Sequence, residues 1–177
     1  MARIKYIEEG STYDTEIAES YERMKKKRGK VTNIYKALAH KPAILKTIGP
    51  FVAAVQKPDE IDEKLKERII LRVSKINGSA YCCNAHEQIS KKIGFSGKEI
   101  EEIFSNPETA DISDRQKAAL RYAEALTRNP GKISDEVFED LRKYFTESQI
   151  VEITALAALY NMINRFNEAL KLDPEEY

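Results

Sequence analysis

The sequence predicts an all-α, multi-helix bundle, and three observations carry that reading. Only 7 Gly and 6 Pro occur among 177 residues, with no Trp and a third of the chain charged, which is poor in the turn residues that sandwiches and barrels need. Helix start and stop signals divide nearly the whole chain. No segment reads as a strand.

From the N-terminus, Ser11 or Thr12 is the expected cap of a helix to about Arg28, with Ile17, Ala18, Tyr21 and Met24 as its apolar stripe and Gly29 or Lys30 beyond its end. The run Lys25 to Arg28 reads as a solvated last turn. A short helix from about Thr32 to His40 follows, and then one opened by Pro42. A kink or break is expected at Gly49-Pro50, because an interior proline removes a backbone donor and crowds the previous turn. Asp59 or Asp62 caps the next helix, which ends at Gly78 and carries Leu65, Ile69, Val73 and Ile76 as its main stripe. Glu67, Ile70, Leu71 and Ser74 share a second face, an unusual place for a merely solvated carboxylate.

The helix from about Ala80 to Ile93 carries the only two cysteines and one of the two histidines. Ser96 opens a short helix, and Ser113-x-x-Gln116 reads as the capping box of a helix to about Arg128. Asn129-Pro-Gly131 breaks that helix and Ser134 caps another. Thr146-x-x-Gln149 begins a long helix to about Leu172, apolar on almost every face between Ile150 and Phe166, which places it at the bundle centre or in a subunit contact. The length suits one domain over 1–177, in two helical lobes of about 1–58 and 59–177, since no Gly/Ser linker separates independent units.

Composition excludes several functions. Lys+Arg and Asp+Glu are both 29, so the formal charge is zero and nothing global draws the chain to nucleic acid or an anionic membrane. The most apolar stretch, Ile150 to Phe166, is interrupted by Glu152, Asn161, Asn164 and Arg165 and falls short of the roughly 20 residues that span a bilayer. The N-terminal residues lack a signal peptide's apolar run, and adjacent cysteines build no disulfide framework, so a reducing cytoplasm is expected.

Cys82 and His86 are four apart on one helix, which puts thiol and imidazole on one face as a nucleophile and base. Cys82 also falls in the first turn, where the helix dipole favours a thiolate. Cys83 is three residues from His86 and within helical reach too, so spacing does not choose between the thiols. Against reactivity stands the frequency with which a free cysteine is simply a small buried hydrophobe. A metal site of Cys82, Cys83 and His86, with Glu67 or His40, is poor: adjacent helical side chains point about 100° apart. His40 reads as a helix-end residue, Asn161, Asn164 and Arg165 as hydrogen-bonded core or interface, and Tyr81 as packing. No phosphate loop or dinucleotide fingerprint is present, and no cofactor is expected.

The segment Glu67 to His86 resembles the signature of the alkylhydroperoxidase D-like, carboxymuconolactone decarboxylase superfamily: a Glu, then Cys-x-x-Cys-x-x-x-His beginning twelve residues later. Here it matches at Glu67, Cys82 and His86. Val31 to Pro42 resembles the family's N-terminal lobe, and Ala118 to Leu126 and Asn161 to Phe166 resemble its C-terminal helices. The resemblance implies an all-helical fold of the alkylhydroperoxidase D-like type, assembly as a trimer, hexamer or related homo-oligomer, and thiol-dependent reduction of hydroperoxides. In that scheme Cys82 attacks, His86 and Glu67 relay its proton, and the first motif cysteine resolves the sulfenic acid. That first position is Ser79 here, and a vicinal disulfide to Cys83 closes a strained ring. An external thiol reductant or a neighbouring subunit must therefore complete turnover. Ser79 and Tyr81 are expected to line the pocket. The rivals are a decarboxylase acting on a small lactone acid without the cysteine pair, and a non-catalytic oligomer of the same fold.

Overall fold

The computed structural model describes residues 1–11 and 14–175, without the side chains of residues 27 and 28. Nine α-helices and no strand occur among the described residues: α1 Thr15–Arg28, α2 Asn33–Leu38, α3 Pro42–Gln56, α4 Glu63–Ile76, α5 Ala80–Lys92, α6 Gly97–Ser105, α7 Asp114–Arg128, α8 Asp135–Arg142 and α9 Glu147–Leu170. Short 3-10 turns at Pro107–Thr109 and Pro130–Lys132 flank α7. No helix among the described residues is long and apolar enough to cross a membrane.

The centre is α4 packed against α7 and α9. Leu65, Ile69 and Val73 of α4 meet Ala119 and Ala123 of α7 and Ile153, Leu156 and Ala157 of α9, all fully buried. The small residues on α7 let the helix axes approach closely. Every residue of α4 from Leu65 to Ser74 is buried, charged ones included, and those charges are paired. Lys66 bridges Glu152 and the carbonyls of Val55 and Lys57, tying the end of α3 to α9. Arg72 holds Glu124 and the carbonyls of Ile103 and Phe104 that end α6. A second cluster joins Ile17, Tyr21 and Met24 of α1 to Tyr35, Leu38 and Leu45 of α2 and α3.

Several local expectations need correction. The cap of α1 is Asp14, whose carboxylate accepts from the backbone N–H of Glu16 and Ile17; Thr12 lies outside the described residues. Ala18 is exposed and does not belong to the stripe, and Ile76 is only half-buried. Helix α3 runs unbroken through Gly49-Pro50. Pro50 and Lys46 are both exposed, so the carbonyl that loses its donor keeps access to water. Asp62, rather than Asp59, caps α4. The capping boxes at Ser113/Gln116 and Thr146/Gln149 are both formed.

Candidate functional site

The turn between α4 and α5 sets up the site. Gly78 takes a left-handed φ of 65°, which costs glycine little, and lets Ser79 N–H donate to Ser74 O at 3.0 Å. Ser79 then caps α5, its hydroxyl accepting from Cys82 N at 3.4 Å and donating to Glu168 of α9 at 3.0 Å. Two helices thus follow one another across a tight turn, and α5 lays Cys82 and His86 between α4 and α9.

His86 is 8 % exposed and both its ring nitrogens are committed. Nδ1 lies 2.7 Å from Glu67 Oε2 of α4, and Nε2 lies 2.9 Å from the hydroxyl of Tyr160 on α9. The Tyr160 oxygen also accepts from the Gln56 side-chain amide of α3. A neutral imidazole with its proton on Nδ1 satisfies all these contacts: Nδ1–H donates to Glu67 and Tyr160 O–H donates to Nε2. The His86 and Tyr160 rings meet edge to face, with centroids 5.0 Å apart and planes at 84°.

Cys82 is 3 % exposed, and its sulfur accepts from Asn167 Nδ2 of α9 at 3.3 Å. No hydrogen bond joins Cys82 to His86, because the ring is held by Glu67 and Tyr160 instead. Burial pushes the Cys82 thiol above its ordinary range, while hydrogen bonds from Ser79, Asn164 and Asn167 pull the other way. The helix N-terminus does not make Cys82 a resting thiolate. Half-buried Cys83, raised by burial to about 11, is no better.

A cavity of about 220 Å³ joins these groups, and Cys82, His86, Tyr160, Gln56 and Asn167 all contribute to its wall. The rest is largely apolar, from Leu38, Ile48, Val52, Ile89, Ile163 and Phe166. No Lys or Arg lines it. A separate, more open cleft of about 750 Å³ is lined by Glu67, His86, Lys57, Glu63 and Lys66. The chain Glu67–His86–Tyr160 therefore runs from this open cleft to the apolar cavity.

Of the residues singled out in the sequence, Glu67, Cys82 and His86 come together around the two cavities. Tyr81 lines the apolar cavity, and its hydroxyl donates to Glu175 at 2.8 Å. Ser79 does not line it, since its hydroxyl is spent on the cap and on Glu168. Cys83 does not line it either. His40 is exposed, with Nε2 2.8 Å from Lys5 O, far from metal-ligating company. Asn161 and Asn164 are buried and accept from Asn77, a structural network between α4 and α9. Sequence reasoning missed Tyr160, Gln56 and Asn167. The available signal was the spacing of Tyr160 and Asn167, seven residues apart on one face of α9.

The profile of the Carboxymuconolactone decarboxylase family matches residues 42–125, which include Glu67, Cys82 and His86 but not Tyr160 or Asn167. The uncharacterised protein YdfG of Bacillus subtilis (strain 168) is 30% identical over 115 residues, covering 64% of this chain and 78% of YdfG. Among solved structures, the alkylhydroperoxidase AhpD core of an uncharacterised peroxidase-related protein from Ralstonia eutropha JMP134 superimposes with a TM-score of 0.86 at 24% identity, covering 99% of this chain and 93% of that one. The debrominase Bmp8, in complex with 2,3,4-tribromopyrrole, has the same fold, with a TM-score of 0.83 at 21% identity over 99% of this chain and 94% of Bmp8. These likenesses show the fold, which a debrominase also has. With the Glu67, Cys82 and His86 signature, the matching profile and the shared all-helical fold together, the chain belongs to the carboxymuconolactone decarboxylase family of the alkylhydroperoxidase D-like superfamily.

Proposed function

We propose that the protein is a thiol-dependent peroxidase that reduces organic hydroperoxides at Cys82. The observation that carries this reading is the placement of the Cys82 thiol in an apolar cavity whose wall also holds the inner end of the Glu67–His86–Tyr160 chain. Because burial keeps Cys82 protonated at rest, the thiol proton must move as the sulfur attacks. The sulfur takes the terminal peroxide oxygen, the O–O bond breaks, and the alkoxide leaves. Tyr160, backed by His86 and Glu67, supplies the leaving oxygen's proton and recovers one from the thiol, so that thiol and hydroperoxide become sulfenic acid and alcohol. Glu67 and His86 exchange protons with solvent through the open cleft.

With Ser79 at the first motif position the usual resolving thiol is missing, and a vicinal disulfide to Cys83 would close a strained ring. A first external thiol displaces water from the sulfenic acid, and a second reduces the mixed disulfide to regenerate Cys82. A reducing cytoplasm supplies such thiols. The absence of Lys and Arg from the cavity wall weighs against a lactone acid, whose carboxylate would be buried without a cationic partner. The test is a mass spectrum after one equivalent of an organic hydroperoxide with a sulfenic-acid trap present. A trapped adduct at Cys82 supports the reading, and no modification at Cys82 overturns it.

The working unit we propose is a homo-oligomer, a trimer or a multiple of it. Its support is the exposure of Ile44 and Phe51 on α3 and of Val151 and Met162 on α9, two helices that pack side by side. Light scattering should give a multiple of 20.2 kDa, and a monomer at micromolar concentration would contradict it.

A further inference from the structure

Asn167 offers the cavity two polar atoms in very different states. Its Nδ2 donates to Cys82 Sγ at 3.3 Å, whereas its Oδ1 is buried and has no hydrogen-bond partner. The residue is 1 % exposed and lines the cavity beside Cys82. A buried carbonyl oxygen left empty is unusual in a folded protein, and an explanation is owed when it stands beside a candidate nucleophile. The reduced thiol gives the amide only half of what it can bind.

We infer that Asn167 is the ligand of the oxidised cysteine: its Oδ1 accepts the O–H of a Cys82 sulfenic acid while its Nδ2 donates to the same sulfur–oxygen group. This rests on the peroxidase reading above and adds the fate of its intermediate. The step is Cys82–SH plus a hydroperoxide giving Cys82–SOH plus an alcohol; the S–O bond forms, the O–O bond breaks, and the new hydroxyl carries the donor that Oδ1 lacks in the thiol state. Ser79 does not line the cavity and its hydroxyl is engaged with Glu168, while the Tyr160 hydroxyl already has a partner in each direction, His86 and Gln56. Holding the sulfenic proton keeps the group neutral. A sulfenate is the more nucleophilic form, and it is the one that attacks a second peroxide to become sulfinic acid. For a chain that has Ser79 where a resolving cysteine would stand, persistence of the sulfenic acid until an external thiol arrives is what turnover needs.

The experiment follows Cys82 by intact mass after one equivalent of cumene hydroperoxide and then an excess, in wild type, Asn167→Leu and Asn167→Asp. Wild type should accumulate the sulfenic acid and overoxidise slowly. Asn167→Leu, with neither donor nor acceptor, should convert sulfenic to sulfinic acid at least fivefold faster, and Asn167→Asp, which keeps an oxygen at this place, should stay near wild type. If Asn167→Leu does not fold, Asn167→Ala takes its place with the same expectation. Equal overoxidation rates in all variants overturn the inference while leaving the peroxidase reading intact. A wild-type Cys82 that never oxidises overturns both.

Discussion

The hydroxyl of Tyr160 stands 2.9 Å from Nε2 of His86, and both residues line the cavity that holds Cys82. The imidazole therefore reaches the reaction space through a phenol rather than by touching the thiol. Replacing Tyr160 with Phe keeps the edge-to-face ring contact and deletes only that hydroxyl. The rate at which an organic hydroperoxide oxidises Cys82 should fall on the order of 10²-fold, the scale of one lost general acid. Stopped-flow measurement of thiol loss, with a melting curve as the folding control, checks it. An unchanged rate would show that Tyr160 is only packing.

The raised thiols give a pH signature. In the unfolded chain a thiol titrates near its ordinary value of 9.0, whereas folded Cys82 titrates higher and Cys83 near about 11. Below pH 9 both states hold their protons and stability is complete. Above it the unfolded state releases protons first, so stability falls as pH rises toward 11. Tyr21, raised by burial from 10.0 to about 12, acts in the same direction. Melting temperature should decline across this window, and less steeply in a Cys82→Ser/Cys83→Ser variant. Alkylation of Cys82 should keep accelerating past pH 9, and a plateau near neutrality would contradict the buried-thiol account.

Ser79→Cys restores the first cysteine of the motif. Because Ser79 caps α5, the reduced variant should lose about 0.5–2 kcal/mol of stability. After peroxide it should form an intramolecular disulfide with Cys82, read as a loss of two titratable thiols, and turn over with a dithiol reductant. Wild type, after peroxide and before any thiol is added, should instead stop at sulfenic or sulfinic acid with no intramolecular disulfide. If both thiols of the variant stay reduced, Cys82 is not activated by its pocket.

The helices were legible because their ends are written locally. The boxes at Ser113/Gln116 and Thr146/Gln149 and the left-handed Gly78 depend only on neighbours within a turn. Gly49-Pro50 misled because a proline's cost depends on whether the freed carbonyl meets water, and that is a property of the packed helix. In the site, Glu67, Cys82 and His86 were visible as a pattern, but the expected pairing of Cys82 with His86 is replaced by contacts of the ring with Glu67 and Tyr160. Spacing of four along α5 puts the two side chains on one face, but a third helix decides what fills the space between them. Tyr160 and Asn167 come from α9, 74 residues from His86 and 85 from Cys82 respectively, and no local signal announces that the two helices cross there.

The most direct measurement of the central claim is steady-state consumption of an organic hydroperoxide with an external thiol, compared among wild type, Cys82→Ser and Cys83→Ser. Cys82 lines the apolar cavity and Cys83 does not, so only Cys82 faces the space in which the proposed reaction would take place. Wild type and Cys83→Ser should turn over at similar rates, and Cys82→Ser should fall to the uncatalysed background. Turnover that survives in Cys82→Ser, or is lost in Cys83→Ser alone, would contradict the account.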